Sequence, residues 1–148
     1  MTNNESTIEA LNDLIQINND RIEGYDKAIE NLETGDHDLK TLFATLKENS
    51  TENIHELNAA VNKHGGEPVT DTTLLGKVYR GWMDVKSTFT GHDRDGIITD
   101  CKGGEKAAQV SYDNALSDTE ELTGEAEAMI RKQQTVLLSD KHLVDRLN

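Results

Sequence analysis

Proline, cysteine and aromatic residues are scarce in this chain of 148 residues, and each scarcity narrows the possible fold. Only one proline, Pro68, is present, and glycine is sparse within the long periodic stretches, which favours helices over a turn-rich β architecture. The single cysteine, Cys101, cannot form an internal disulfide; it lies on an apolar helical stripe, where we expect a buried thiol. No stretch has about 18 consecutive apolar residues, so no membrane-spanning helix is predicted.

Positive charge is also scarce: the chain has 15 basic residues and 28 acidic ones, which gives a net charge of −13. No cluster of lysine and arginine could neutralise a row of phosphates or contact an anionic membrane, so nucleic acid and membranes are not expected partners. The opening segment MTNNESTIEAL lacks the basic start and apolar run of a secretory signal. We therefore expect a soluble cytoplasmic protein.

What the chain does contain is apolar residues at steps of three and four over four long stretches, which predicts an all-α protein. The whole of 1–148 is expected to form one domain. The predicted helices cover about 6–33, 37–64, 95–116 and 119–147, with a short extra helix at about 73–89. Two short loops require two antiparallel hairpins, and one long crossover joins them, as in a ferritin-like four-helix bundle. The inward stripe of the last helix is predicted to include Val136 and Leu143.

Polar residues interrupt the apolar stripes at a similar depth in all four helices. They are Asn18, Ser50, Asn53, Glu105 and Gln133, with Asp140 further along the last helix. A polar residue in a buried helical seam either fixes register or marks a site. We expect a buried hydrogen-bonded layer in which the amides of Asn18, Asn53 and Gln133 satisfy the carboxylate of Glu105; an ion or small-ligand site is the alternative.

The same layer lacks most of the ligands of a di-iron centre, which takes inward carboxylates and histidines from four helices. Glu105, Asp140 and His142 are the remaining candidate ligands, and they form an incomplete set. A Glu-x-x-His pair occurs at Glu52 and His55, but helical geometry places both side chains towards solvent. The sequence therefore predicts no metal site, no cofactor and no catalytic residue.

The segment GHDRDGIITDCKGGE resembles a calcium loop only in part. Its first position is Gly91 and its twelfth is Lys102, where a calcium loop carries an aspartate and a bidentate glutamate. Asp93 or Asp95 is instead expected to cap the third long helix.

Large apolar side chains gather in the crossover, at Tyr79, Trp82, Met83 and Phe89. Two interpretations remain open. The cluster packs on its own bundle, or it forms a self-association patch that gives a homo-oligomer, with a dimer favoured.

Four segments, NDLIQINNDRIEGY (12–25), GGEP (65–68), GWMD (81–84) and GEKAAQVSYDNAL (104–116), resemble a bacterial family of uncharacterised ferritin-like four-helix-bundle proteins. The resemblance covers nearly the whole chain. It implies a ferritin-like fold, a bacterial cytoplasmic setting and an association with stress or stationary-phase physiology, but it implies no reaction.

The sequence thus predicts a non-enzymatic bundle that acts through binding or self-assembly. The alternative is a divalent-metal-binding protein or di-iron-type oxidase with a degenerate ligand set made of Glu105, Asp140 and His142.

Overall fold

The computed structural model describes residues 3–70, 82 and 93–147. Four long helices form a bundle, and a 3-10 turn at Thr119–Glu121 precedes the last of them. The helices are α1 (Asn3–Asn31), α2 (His37–Lys63), α3 (Arg94–Ala115) and α4 (Gly124–Asp145). The described residues contain no β-strand, so the all-α prediction is confirmed. The predicted crossover helix at 73–89 lies outside the described residues, except for Trp82.

The end of α2 is fixed by backbone hydrogen bonds in its Gly-Gly segment. Gly65 has a φ of 89°, a left-handed conformation that glycine adopts without steric cost. The Gly66 N–H donates to the Val61 carbonyl and the Gly65 N–H donates to the Asn62 carbonyl, each over 3.0 Å. This pair of bonds is the Schellman motif, and it ends α2 beside the glycines at which the sequence predicts a break.

Contacts between helix starts define the direction of each helix. Arg94, at the start of α3, binds Asp36 and forms two hydrogen bonds with Asp38, so α2 and α3 begin at the same end of the bundle. The hydrogen bonds from Arg94 hold the pKa of Asp38 at about 2. At the other end, the Thr123 N–H donates to Thr7 Oγ1, which places the starts of α1 and α4 together. The result is the up-down-down-up order of a ferritin-like bundle.

Side-chain caps begin α3 and α4. Asp93 Oδ1 accepts from the Gly96 N–H over 2.8 Å, which confirms the predicted aspartate cap. The predicted start of the last helix at 119 is wrong, because Leu122 has an extended backbone after the 3-10 turn. Thr123 caps α4 instead, accepting from the Ala126 N–H over 3.3 Å.

The inward face of α4 also differs from the prediction. Val136 and Leu143 are 41% and 44% exposed, whereas Leu137 and Val144 are buried. Apolar residues occupy both sets of positions, so periodicity alone does not select between them. Packing against the other helices decides between the two sets and leaves Val136 and Leu143 in solvent.

Aromatic contacts link α1, α2 and Trp82 within the core. The Tyr25 ring lies 5.1 Å from Phe43 and 5.0 Å from Trp82, the second at an edge-on angle of 71°. Cys101 is free and fully buried, as predicted. None of the described helices has both the length and the apolar character needed to cross a bilayer.

Candidate functional site

An arginine lies fully buried at the centre of the bundle. Arg21 projects from the middle of α1, and its side chain has no exposed surface. Its Nε donates to Glu105 Oε2 and its Nη2 to Asp140 Oδ2, each over 3.0 Å. Its Nη1 donates to the Leu46 carbonyl over 3.0 Å and to Ser50 Oγ over 2.9 Å. The guanidinium of α1 therefore binds all three of the other helices.

The two carboxylates around Arg21 have further hydrogen-bond donors. The Tyr25 hydroxyl donates to Glu105 Oε2, the same oxygen that Arg21 binds. The Asn49 amide donates to both oxygens of Asp140, over 3.0 and 3.2 Å. The other oxygen of Glu105 is buried and has no hydrogen-bond partner among the described residues. We call Arg21, Tyr25, Asn49, Ser50, Glu105 and Asp140 the arginine cluster.

The electrostatics of this cluster keep its cation charged and its phenol neutral. Burial by itself lowers the pKa of Arg21, but the charge of Glu105, together with Tyr25 and Asp140, raises it above the ordinary value. Burial, and then the charge of Glu105, raises the pKa of Tyr25 and that of the Cys101 thiol. Cys101 is therefore kept as an unreactive thiol, because the thiolate is the nucleophilic form.

A second network of uncharged groups lies beside the arginine cluster and also joins four helices. Asn18 Nδ2 donates to the Tyr112 hydroxyl over 2.9 Å, and that hydroxyl donates to Gln133 Oε1 over 2.7 Å. Asn53 Nδ2 donates to Asn18 Oδ1 over 3.2 Å, and Gln133 Nε2 donates to Glu56 Oε1 over 3.1 Å. We call Asn18, Asn53, Tyr112 and Gln133 the amide network. Burial raises the pKa of Tyr112 despite the opposing hydrogen bond from Asn18, so its phenol stays protonated.

The structure therefore buries every residue of the predicted polar layer but divides the layer into two networks. Asn18, Asn53 and Gln133 bind one another and Tyr112. Ser50 and Glu105 belong to the arginine cluster. The expectation that amides satisfy Glu105 is wrong, because Arg21 and Tyr25 bind its carboxylate.

Trp82 lies against two glycines next to the arginine cluster. A Cβ at Gly104 would lie 2.5 Å from Trp82 Cδ2, and one at Gly24 would lie 2.6 Å from Trp82 Cζ3. The indole therefore occupies a notch that only glycine leaves open on α1 and α3. Its Nε1 is buried and has no hydrogen-bond partner among residues 3–70 and 93–147.

This placement corrects one part of the predicted self-association patch. Trp82 is fully buried, so it belongs to the core of its own chain and is not available to a second copy. The other three members of the patch, Tyr79, Met83 and Phe89, lie outside the described residues.

A groove of about 340 Å³ lies between α2 and α4. The buried Asn53 and Gln133 line it, and so do the exposed Glu52 and His55. The predicted outward position of the Glu-x-x-His pair is confirmed by this exposure.

Comparison with known proteins places the chain in a family. The model of a family described as Domain of unknown function (DUF2383) matches residues 6–118, most of the chain. The chain belongs to this family. The match covers α2, α3 and α1 from residue 6 onwards and includes Arg21 and Glu105, while Asp140 on α4 lies beyond it.

A solved structure supports the fold of this family member. The chain is similar to a crystal structure of a DPS protein from Vibrio cholerae O1, described as a member of a broad superfamily of ferritin-like diiron-carboxylate proteins. The TM-score is 0.70, with 14% sequence identity over 96% of this chain and 91% of that chain. This likeness shows a ferritin-like fold. No curated protein matches the sequence.

The residues at the bundle centre do not fit a di-iron group. Such a centre takes inward carboxylates and histidines from all four helices. Here α1 to α4 contribute Arg21, Ser50, Glu105 and Asp140, and both carboxylates bind the arginine. A guanidinium repels a metal ion and occupies the oxygens that would bind it.

The remaining candidate ligand does not complete the set, because His142 is exposed whereas Glu105 and Asp140 are buried. Within the described ranges, no group of three or more histidines, cysteines, aspartates or glutamates is arranged to hold a metal ion.

Arg21, at the centre of the arginine cluster, is the residue that sequence reasoning missed. Asn18, Arg21 and Tyr25 follow one another at steps of three and four, which places all three on one face of α1. That spacing signals an inward arginine, but a charged side chain between apolar neighbours is ordinarily assigned to solvent. A search for an arginine and a carboxylate on the inward stripes of two different helices could have found Arg21 and Glu105.

Proposed function

We propose that this protein is a non-enzymatic ferritin-like bundle that acts through binding or self-assembly. The observation that carries the proposal is the position of Arg21 between Glu105 and Asp140. A fold that elsewhere supports metal chemistry here has its central carboxylates bound by a side chain. The arginine cluster and the amide network each join all four helices, which suits a rigid scaffold whose activity lies on its outer surface.

Exposed aliphatic side chains support the surface part of the proposal. Val136, Leu138 and Leu143 on α4 and Val110 on α3 are each between 41% and 44% exposed. Val136 and Leu143 lie seven residues apart and therefore share one face of α4, and solvent-facing apolar groups on one face are typical of a contact surface. We propose that this surface joins copies of the chain into a homo-oligomer, with a dimer favoured.

The biological setting forms part of the same proposal. A bacterial cytoplasmic protein with a stress-associated role agrees with the family resemblance, and the net charge of −13 argues against nucleic acid as a partner.

Metal content tests the non-enzymatic half of the proposal. Protein purified without chelator is analysed for iron, manganese and zinc, and its rate of Fe²⁺ oxidation by oxygen is compared with that of buffer. We expect no stoichiometric metal and no acceleration of the oxidation. Stoichiometric metal that is lost in the Glu105→Gln variant would contradict the proposal and favour the di-iron-type alternative.

Light scattering after size-exclusion chromatography tests self-assembly. We expect a mass above that of one chain, and a shift towards monomer when Val136→Glu and Leu143→Glu are combined, because two charges would then be buried in the contact. Thr135→Glu, on an exposed position of the same helix, is the matched control and should leave the mass unchanged. A wild-type protein that stays monomeric at micromolar concentrations would contradict self-assembly.

A further inference from the structure

We propose that Arg21 is a cation supplied by the chain itself, which fills the central cation position of this ferritin-like bundle. The bundle centre is then a built site for a planar guanidinium-type cation, occupied from within by α1. Arg21 holds the centre together in this way whether or not the protein self-assembles.

The geometry of the centre is that of a cation site shared by four helices. Arg21 extends from α1, and its acceptors come from α2, α3 and α4. A metal ion at the centre of such a bundle likewise draws one or more inward oxygen ligands from different helices. The four acceptor atoms are carboxylate, carbonyl and hydroxyl oxygens, all of which also bind hard cations.

The directions of the hydrogen bonds select a guanidinium over a point charge. Each nitrogen of Arg21 has its own acceptor: Nε binds Glu105, Nη2 binds Asp140, and Nη1 binds the Leu46 carbonyl and Ser50. A planar fork with donors in fixed directions satisfies such an arrangement, whereas a lysine ammonium presents its charge at one point. The acceptors thus match the shape of the cation as well as its sign.

The two buried carboxylates of the arginine cluster require a neighbouring positive charge. Glu105 and Asp140 have side chains only 1% and 8% exposed, so two buried carboxylates face each other across the guanidinium. Removing one member of a buried ion pair strongly destabilises a protein, because the remaining charge has no partner and no solvent. Removing all members together is far better tolerated, because no charge is then left buried.

A set of three variants separates charge compensation from simple packing. Arg21→Met keeps much of the volume but leaves both carboxylates uncompensated, and we expect its Tm to fall by about 10 °C or more. The triple variant, Arg21→Met with Glu105→Gln and Asp140→Asn, should recover at least half of that loss. Glu105→Gln with Asp140→Asn alone is the matched control; it leaves Arg21 without a counter-charge and should be less stable than the triple variant.

The proposal is overturned if the triple variant is no more stable than Arg21→Met, since packing losses would then accumulate as more groups are changed. If Arg21→Met does not fold at all, recovery of folding in the triple variant supports the proposal and failure of both to fold overturns it.

An added cation tests the shape of the site. Arg21→Ala leaves a space beside the four acceptors, and millimolar methylguanidinium should raise its Tm, or its refolding yield from urea, in a saturable way. The same salt should leave the wild type unchanged, and it should not rescue Arg21→Ala combined with Glu105→Gln. Equal effects on all three proteins, or rescue of Arg21→Ala by sodium chloride alone, would contradict a guanidinium-shaped site.

These results are independent of those that test the proposed function. Metal content and oligomeric mass report on the proposed function, whereas the cation site is judged by the relative stability of the variants at Arg21, Glu105 and Asp140. A monomeric protein would overturn self-assembly and leave the cation site intact, and a triple variant without recovered stability would overturn the cation site and leave self-assembly intact.

Discussion

Glu105 is the single residue whose neutralisation most directly affects the arginine cluster. Glu105→Gln removes one of the two carboxylates that face Arg21, and the loss of one partner from a buried pair costs about 3–5 kcal/mol. Urea unfolding, followed by helical circular dichroism, measures the change. Glu52→Gln neutralises a carboxylate of the same type at an exposed position of α2 and should change the free energy of unfolding by less than about 0.5 kcal/mol. Equal effects of the two substitutions would contradict a required ion pair.

The buried Tyr112 predicts how stability depends on alkaline pH. Because burial raises the pKa of its phenol in the folded state, the unfolded chain releases this proton at a lower pH than the folded chain does. The contribution to stability is therefore complete below about pH 10, the ordinary pKa of tyrosine, and is lost as the pH rises above it. The urea midpoint should fall more steeply above that pH in the wild type than in Tyr112→Phe. Phenolate absorbance assigned to Tyr112 near pH 10, with the helical signal intact, would contradict this expectation.

At the scale of the helices, the notch between α1 and α3 depends on glycine. Gly104→Ala would place a Cβ 2.5 Å from Trp82 Cδ2, so the indole must move. We expect a loss of about 1–3 kcal/mol, as in other overpacked cores, and a red shift in the fluorescence of Trp82, the only tryptophan. Gly124→Ala on α4 is the control, because a Cβ at that position would have no atom within 4 Å and alanine favours the helix. An unshifted emission spectrum in Gly104→Ala would show that Trp82 does not occupy the notch.

The bounds of the helices show how far periodicity determines an element. The C-terminal end of α2 and the cap of α3 follow from local signals, the Gly-Gly segment and Asp93, and both were predicted. The start and inward face of α4 were not. Thr119, Glu120 and Glu121 have the composition of a helix start but form a 3-10 turn. Apolar residues lie on two adjacent faces of α4, so only packing against the other helices selects the buried face.

At the scale of the whole molecule, the net charge of −13 opposes contact between two copies. Self-association through the aliphatic side chains of α4 should therefore strengthen with salt, because the Debye length falls from about 10 Å at 0.1 M to about 3 Å at 1 M. Sedimentation equilibrium over this range measures the effect, and we expect the dissociation constant to fall by about tenfold or more. A constant that rises with salt would indicate a contact made by opposite charges instead of apolar ones.

The sequence by itself determined the four long helices of the bundle and several of the polar residues that lie inside it. Spacing along one chain carries this information because a helix places residues three and four apart on one face. Asn18, Ser50, Asn53, Glu105 and Gln133 were all predicted to be inward on that ground, and all are buried.

Only the tertiary structure decided what those residues bind. Arg21 is separated from Glu105 by 84 residues and from Asp140 by 119, so no local pattern contains the ion pairs that allow a guanidinium to be buried. The burial of a charge depends on partners supplied by other helices, and periodicity does not identify them. For the same reason the carboxylate that the sequence assigned to amides is held by an arginine.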